Sequence, residues 1–231
     1  AKRELAAAKR QTSTAEEKAA RAEAELATRG APESDKFQIG PVTIGGAISG
    51  IGLAPKLIGV VMGVYEADWT RVGNGAFSSE LHGEEAEDLR SRGGEFGATT
   101  GRPRRCGWFD VVAARYAATI NGLDEIVLTK LDVLSGIETL KICTAYEIEG
   151  VQFADFPNWV ERLEKARPIY EEIPGWTEDI SGIRNYDELP ENCRNYIDRL
   201  SELIEVEITV VSNGATRDDW IMRRESGLIS A

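Results

Sequence analysis

Three β-branched apolar runs that each give way to polar residues set the frame for this chain: "EIVLTKLDVL" (125–134), "TLKICTAYEI" (139–148) and "EVEITVVSNG" (205–214). Runs of this kind read as buried strands entering loops. Helices lie between them. "WFDVVAARYAATING" (108–122) has Asp110 in its first turn and Asn121-Gly122 as its stop, the signals expected at the two ends of a helix. "LPENCRNYIDRLSELIE" (189–205) sets Tyr196, Ile197, Leu200, Leu203 and Ile204 at helical spacing. Strands alternating with helices predict an α/β fold with an at least partly parallel sheet, and ligands at the carboxyl ends of the strands. No internal repeat is present.

Charge separates the rest of the chain in two. Residues 1–35 hold seven basic and seven acidic side chains, so the formal net charge of −12 belongs to residues 36–231. Ten of the first thirty residues are Ala, and Leu5 and Leu26 are the only large apolar ones among them. A helix polar all round has no face to bury. Residues 1–35 therefore read as a helical or disordered appendage, broken from the domain at 36–231 by "RGAPESD". At 231 residues the chain can bury a sizeable core. Its acidity argues against a nucleic-acid binder or adhesion to anionic membranes. "AISGIGLAPKLIGVVMGVY" (47–65) is broken by Pro55 and Lys56 and reads as buried elements with a turn, not a membrane span. No charged start followed by an apolar run marks a signal peptide. Cys106, Cys143 and Cys193 form no CxxC pattern, as expected of reduced thiols in a cytoplasmic protein.

Against that acidic background, "GATTGRPRRCGW" (97–108) gathers Arg102, Arg104 and Arg105 in one loop. The planar guanidinium fork suits bidentate capture of carboxylate or phosphate. The Gly-Ala-Thr-Thr-Gly amides suggest an anion-holding nest beside the positive end of the next helix. The alternative is a solvated loop whose arginines pair with some of the 39 acidic residues. A second stretch, "LTKLDVLSG", places Thr129, Lys130 and Asp132 at the T/N-K-x-D spacing of guanine sites. There a carboxylate accepts the ring and exocyclic N–H groups of guanine, while the Lys stem lies against the base. An exposed Lys beside a turn Asp is the plainer alternative. A third, "VSNGATR" (211–217), ends a strand in a Ser-Asn-Gly turn that suits a base edge or is an ordinary polar turn.

Taken together, "TRVGNGAF", "GGEFGATTGRPRRCGWFDVVAARY", "LTKLDVL", "CTAYEIEG" and "PGWTEDISGIRNYDELPENCRNYI" resemble consecutive blocks of the adenylosuccinate synthetase family. The resemblance covers about residues 42–220 and matches the C-terminal part of that family. It implies the later strands and helices of a large, partly parallel central sheet, in a fold akin to P-loop nucleotide hydrolases. It implies GTP-dependent joining of IMP and L-aspartate to adenylosuccinate, assisted by Mg2+, on the route to AMP. By the same resemblance Ala98, Thr99, Thr100, Gly101, Arg102, Pro103 and Arg104 form the aspartate loop. Arg102 also reaches the IMP ribose, and Arg104 lies near GTP. Lys130, Leu131 and Asp132 hold the guanine, Ser212, Asn213 and Gly214 close over it, and Val72 packs near the hypoxanthine or ribose. Arg105 is left with no ligand.

The departures are as informative. The family's phosphate loop, catalytic Asp and His, and most contacts to the IMP phosphate belong to its N-terminal half, and no G-x-x-x-x-G-K pattern occurs in this sequence. His82 sits in the acidic "SSELHGEEAEDLR", expected to be helical, without a matched nucleophile, and reads as non-catalytic. Gln38 and Ile39 stand where the family has hydroxyl residues, although Thr43 remains, and "GATR" replaces the family's Gly-Pro-Asp-Arg. No catalytic or metal-ligating residue is therefore assigned, and the chain alone is expected to be inactive. Alternatives are a non-catalytic guanine-nucleotide-binding module and a truncated relic. A homodimer, or pairing with a missing N-terminal half, would cover the sheet edge that such a chain exposes.

Overall fold

A computed structural model of the protein describes residues 43–157, 160–224 and 226. The expected appendage at 1–35, and Gln38 and Ile39, lie outside the described residues. The compact unit to which these residues belong runs from Thr43 to Ala231.

In the main sheet β1 (Met62–Glu66), β5 (Glu125–Thr129) and β9 (Glu207–Ser212) run parallel, and β10 (Trp220–Met222) closes one edge antiparallel. The strand order is β1-β5-β9-β10. A second sheet is built on the long β6 (Ile137–Ile148), paired with β4 (Phe109–Asp110), β7 (Val151–Phe153) and β8 (Arg167–Trp176). β2 (Trp69–Arg71) and β3 (Arg105–Gly107) form a small antiparallel ribbon. The partly parallel α/β fold is the one expected from strand–helix alternation. The 139–148 run does not join the sheet of the other two runs, however. Over twelve residues its buried positions come and go, as in the antiparallel partner of β8 and not as in a strand covered on both faces.

Five α-helices are described: α1 (Ile44–Ile51), α2 (Gly83–Gly93), α3 (Val111–Asn121), the short α4 (Val160–Glu164) and α5 (Glu191–Ile204). α3 begins at Asp110, whose side chain accepts from the Ala113 amide at 3.1 Å, and ends on Gly122 in the left-handed region. α5 buries Cys193, Tyr196, Ile197, Leu200 and Ile204, the stripe read from its spacing apart from Leu203, which is partly buried at the core margin. One expectation needs correction. α1, within the apolar 47–65 stretch, buries no residue, and Ile51, Leu53 and Leu57 are exposed. The same stretch ends in β1, which pairs only with β5 among the described strands and leaves Val64 67% exposed. The stretch is apolar without being interior to this unit. Among the described residues no helix is long and apolar enough to cross a membrane.

Candidate functional site

The parallel strands end together. Glu66 of β1 pairs with Thr129 of β5, and Leu128 with Val211 of β9, so the residues that follow each strand emerge on one edge. The Thr129 hydroxyl donates to the Tyr65 carbonyl at 3.1 Å, and the Ala67 amide donates to the Thr129 carbonyl at 2.8 Å. These bonds fasten the two strand ends to each other. Lys130 then turns the chain in the left-handed region (φ 63) into the short 3-10 helix Leu131–Leu134. A non-glycine residue held there marks a locally fixed turn.

That turn separates the three guanine-motif residues. Leu131 is fully buried in the core. Asp132 is half-buried and, among the described residues, accepts no hydrogen bond from another residue's side chain. Burial raises its carboxyl above the usual range, and nearby Asp219 adds to this while Lys130 opposes it. A carboxylate so placed gains most from N–H donors brought by a ligand. The Lys130 ammonium points elsewhere, to Glu95 and, at 3.1 Å, to Glu66. Burial alone would lower its pKa, but these carboxylates and Asp68 bring the net shift upward.

After β9, the Ser212 hydroxyl donates to the Gly214 carbonyl at 3.1 Å. Asn213 is fully buried and its amide donates to the Ile180 and Ile183 carbonyls, the latter at 2.9 Å. Its side chain clamps the 180–183 turn and is committed to the fold. Gly214 lies against Asp219, whose Oδ2 a Cβ would approach at 2.5 Å. Asp219 in turn accepts from the Thr216 amide at 2.6 Å and pairs with Arg184 at 2.6 Å. Asp219 also faces Asp132, so the strand-end turns of β5 and β9 meet.

The arginine loop hangs from the Phe96–Pro103 bridge. Gly97 donates to the Arg102 carbonyl at 2.8 Å, Gly101 to the Gly97 carbonyl at 2.8 Å, and Arg104 to the Glu95 carbonyl at 2.9 Å. The first two bonds withdraw the Gly97 and Gly101 amides from the anion nest expected there. Nor does a helix follow directly: β3 and β4 intervene, and Asp110 already caps α3. Thr99, Thr100, Gly101, Arg102 and Pro103 are exposed, as is Ala98.

The three guanidinium groups divide into three roles. Arg102 is exposed and makes no side-chain hydrogen bond or ion pair among the described residues. Arg104 is half-buried, donates to Glu95 Oε2 at 2.9 Å, and keeps its Nε buried without a partner. Arg105 is committed to the fold: it forks onto Glu80, donates to the Gly73 and Gly75 carbonyls at 3.0 and 2.6 Å, and lies over the Phe77 ring. Its contacts shape the 73–77 turn beside Val72, which is 80% exposed.

Several residues at this edge escaped sequence reasoning. Glu95, 1% exposed, carries Arg104 on one oxygen and Lys130 on the other, and so draws the arginine loop to the guanine motif. Its signal was modest: a lone carboxylate two residues before the glycine-bounded loop. Asp68 is fully buried with both oxygens unpartnered, and burial pushes its pKa up to about 7. His82 precedes α2 without capping it, and Thr43 caps α1 through a 3.2 Å bond from the Gly46 amide. The three cysteines are buried and unpaired, and burial raises all three thiols. Among the described residues no group of three or more His, Cys, Asp or Glu is placed to hold a metal ion.

Known proteins share this arrangement of motifs. Residues 40–221 match the family model described as adenylosuccinate synthetase. The chain is 54% identical over 178 residues to an adenylosuccinate synthetase of Trichlorobacter lovleyi, covering 77% of this chain and 41% of the relative. Its counterpart in Fusobacterium nucleatum is 52% identical over 183 residues, covering 79% and 43%. A solved structure of fully ligated adenylosuccinate synthetase from Plasmodium falciparum superposes with a TM-score of 0.75 at 40% identity, over 79% of this chain and 44% of that one. The chain thus spans less than half the length of the relatives it matches.

Proposed function

The chain belongs to the adenylosuccinate synthetase family, and from that premise we propose that it supplies the aspartate-capturing and guanine-binding surfaces of a GTP-dependent ligase that joins IMP and L-aspartate in AMP synthesis. The observation that carries this reading is the convergence of the arginine loop and the Lys130–Asp132 turn on Glu95 at one edge of the parallel sheet.

Arg102 and Arg104 meet the two carboxylates of aspartate. Arg102 is exposed and without a side-chain partner among the described residues, and Arg104 keeps its Nε without a hydrogen-bond partner among them. Thr99 and Thr100 add hydroxyls from the same exposed turn. Arg102 also serves the IMP ribose, and Arg104 lies near the GTP. Asp132 accepts the ring and exocyclic N–H groups of guanine. Adenine presents no such pair of donors, so the carboxylate selects the base. Leu131, Ser212, Asn213 and Gly214 complete the guanine-binding turns, while Val72 offers an exposed apolar contact to the hypoxanthine or ribose. Mg2+, which the family reading brings in, would neutralise phosphate charge. The described residues form no three-ligand cluster for it, and no step is assigned to it.

Phosphoryl transfer needs positioned phosphates, metal and base together. The sequence contains no phosphate-loop pattern, and the described edge presents no base poised for that task. We therefore assign binding to these loops and no catalysis to residues 43–226 by themselves, the active assembly being a homodimer or a pairing with the N-terminal half that the family's enzymes carry. The purified chain, given GTP, IMP, L-aspartate and Mg2+, is expected to form no adenylosuccinate. Product accumulating above a protein-free control overturns that reading.

A further inference from the structure

Two cations from distant parts of the sequence share one buried carboxylate. Arg104 belongs to the arginine loop and Lys130 to the turn after β5, yet both rest on Glu95, which solvent scarcely reaches. We propose that Glu95 is a positioning residue that couples occupancy of the dicarboxylate site at Arg104 to affinity for guanine nucleotide at the Lys130–Asp132 turn. The proposal rests on the assignment of those two loops given above.

A buried carboxylate is stable only while paired, and losing a partner leaves its charge to whatever cation remains. With both cations in place, each feels a carboxylate partly neutralised by the other. A ligand carboxylate that draws Arg104 away leaves the Glu95 charge to Lys130. The ammonium is then held more firmly against Glu95, with Glu66 Oε1 at 3.1 Å on its other side. Asp68, buried and unpartnered nearby, adds a further pull on the same ammonium. Lys130 is the left-handed residue of the turn, two positions before Asp132. Fixing its side chain fixes the turn that presents the Asp132 carboxylate. Dicarboxylate binding therefore tightens guanine binding, and by thermodynamic reciprocity the nucleotide tightens the dicarboxylate. Glu95 touches neither ligand in this scheme.

Calorimetric titration of the chain with GDP, without and with saturating L-aspartate, tests this directly. GDP suits the purpose because it lacks the terminal phosphate. In the unchanged chain L-aspartate is expected to tighten GDP binding by about 5-fold or more, the lower end of ordinary coupling between sites. In Glu95→Gln both ligands still bind, but GDP affinity no longer depends on L-aspartate. Glu95→Asp, which keeps the shared charge, retains a dependence of GDP affinity on L-aspartate and carries the test should Glu95→Gln fail to fold. Dependence that survives Glu95→Gln, independent binding of the two ligands in the unchanged chain, or dependence lost in a folded Glu95→Asp overturns the proposal. If GDP or L-aspartate fails to bind the unchanged chain, the loop assignment itself falls. The anchor is then judged by urea unfolding of Arg104→Gln, Lys130→Gln and the double variant. Non-additivity that vanishes in the Glu95→Gln background supports it, and additivity overturns it.

Discussion

Arg102 and Arg105 sit three residues apart in one loop, and the structure gives them opposite duties. Arg105→Ala removes the fork onto Glu80, two carbonyl contacts and the Phe77 stack, and should lower unfolding stability by about 1–3 kcal/mol in urea titration. Arg102→Ala removes no protein contact and should shift stability by less than about 0.5 kcal/mol, while weakening L-aspartate binding by about 10-fold or more. The cluster of arginines was legible in the sequence. The carboxylates that Arg104 and Arg105 meet were not, because Glu95 and Glu80 are set by how the loop folds back on α2 and the 73–80 segment. Asp68 makes a separate prediction. Its pKa rises from an ordinary 3.8 to about 7 in the folded protein, mainly through burial. The folded state thus holds a proton that the unfolded state releases between those values, and stability falls as pH rises through that window. Asp68→Asn should remove that part of the slope and raise stability at pH 8 relative to the unchanged protein by about 2–4 kcal/mol. Equal pH dependence in the two proteins would contradict the assignment.

At the scale of elements, β5, β9 and α5 were readable because their apolar patterns are dictated by burial in this unit. Leu200 illustrates it: fully buried on α5 against the main core, its replacement by Ala should cost about 2–5 kcal/mol. The 47–65 stretch was misleading for the same physical reason. Its apolarity records a need for burial that this unit does not meet, so α1 and the outer face of β1 stand exposed. The sheet membership of β6 was also hidden, since pairing depends on β8, about twenty to forty residues on, and not on the run itself. Among the described strands β1 is an edge, with Val64 67% exposed, the kind of strand that recruits another chain. Val64→Lys should reduce concentration-dependent light scattering while moving the urea midpoint little, by less than about 0.5 kcal/mol. Undiminished scattering would locate the association elsewhere.

For the molecule as a whole, family and fold rest on the order of motif blocks, on the match of residues 40–221, and on the superposition with a ligated relative. What the chain does is tied to the smaller question of whether its strand-end turns still recognise guanine. Among the described residues the structure leaves Asp132 with no hydrogen bond from another side chain, faces it with the Gly214–Asp219 turn, and holds Lys130 through Glu95. The most direct measurement is calorimetric comparison of GDP and ADP binding to the chain and to Asp132→Ala. Preference for GDP that disappears in Asp132→Ala is the predicted result. Equal affinity for the two nucleotides, or a GDP preference untouched by the substitution, would contradict the account.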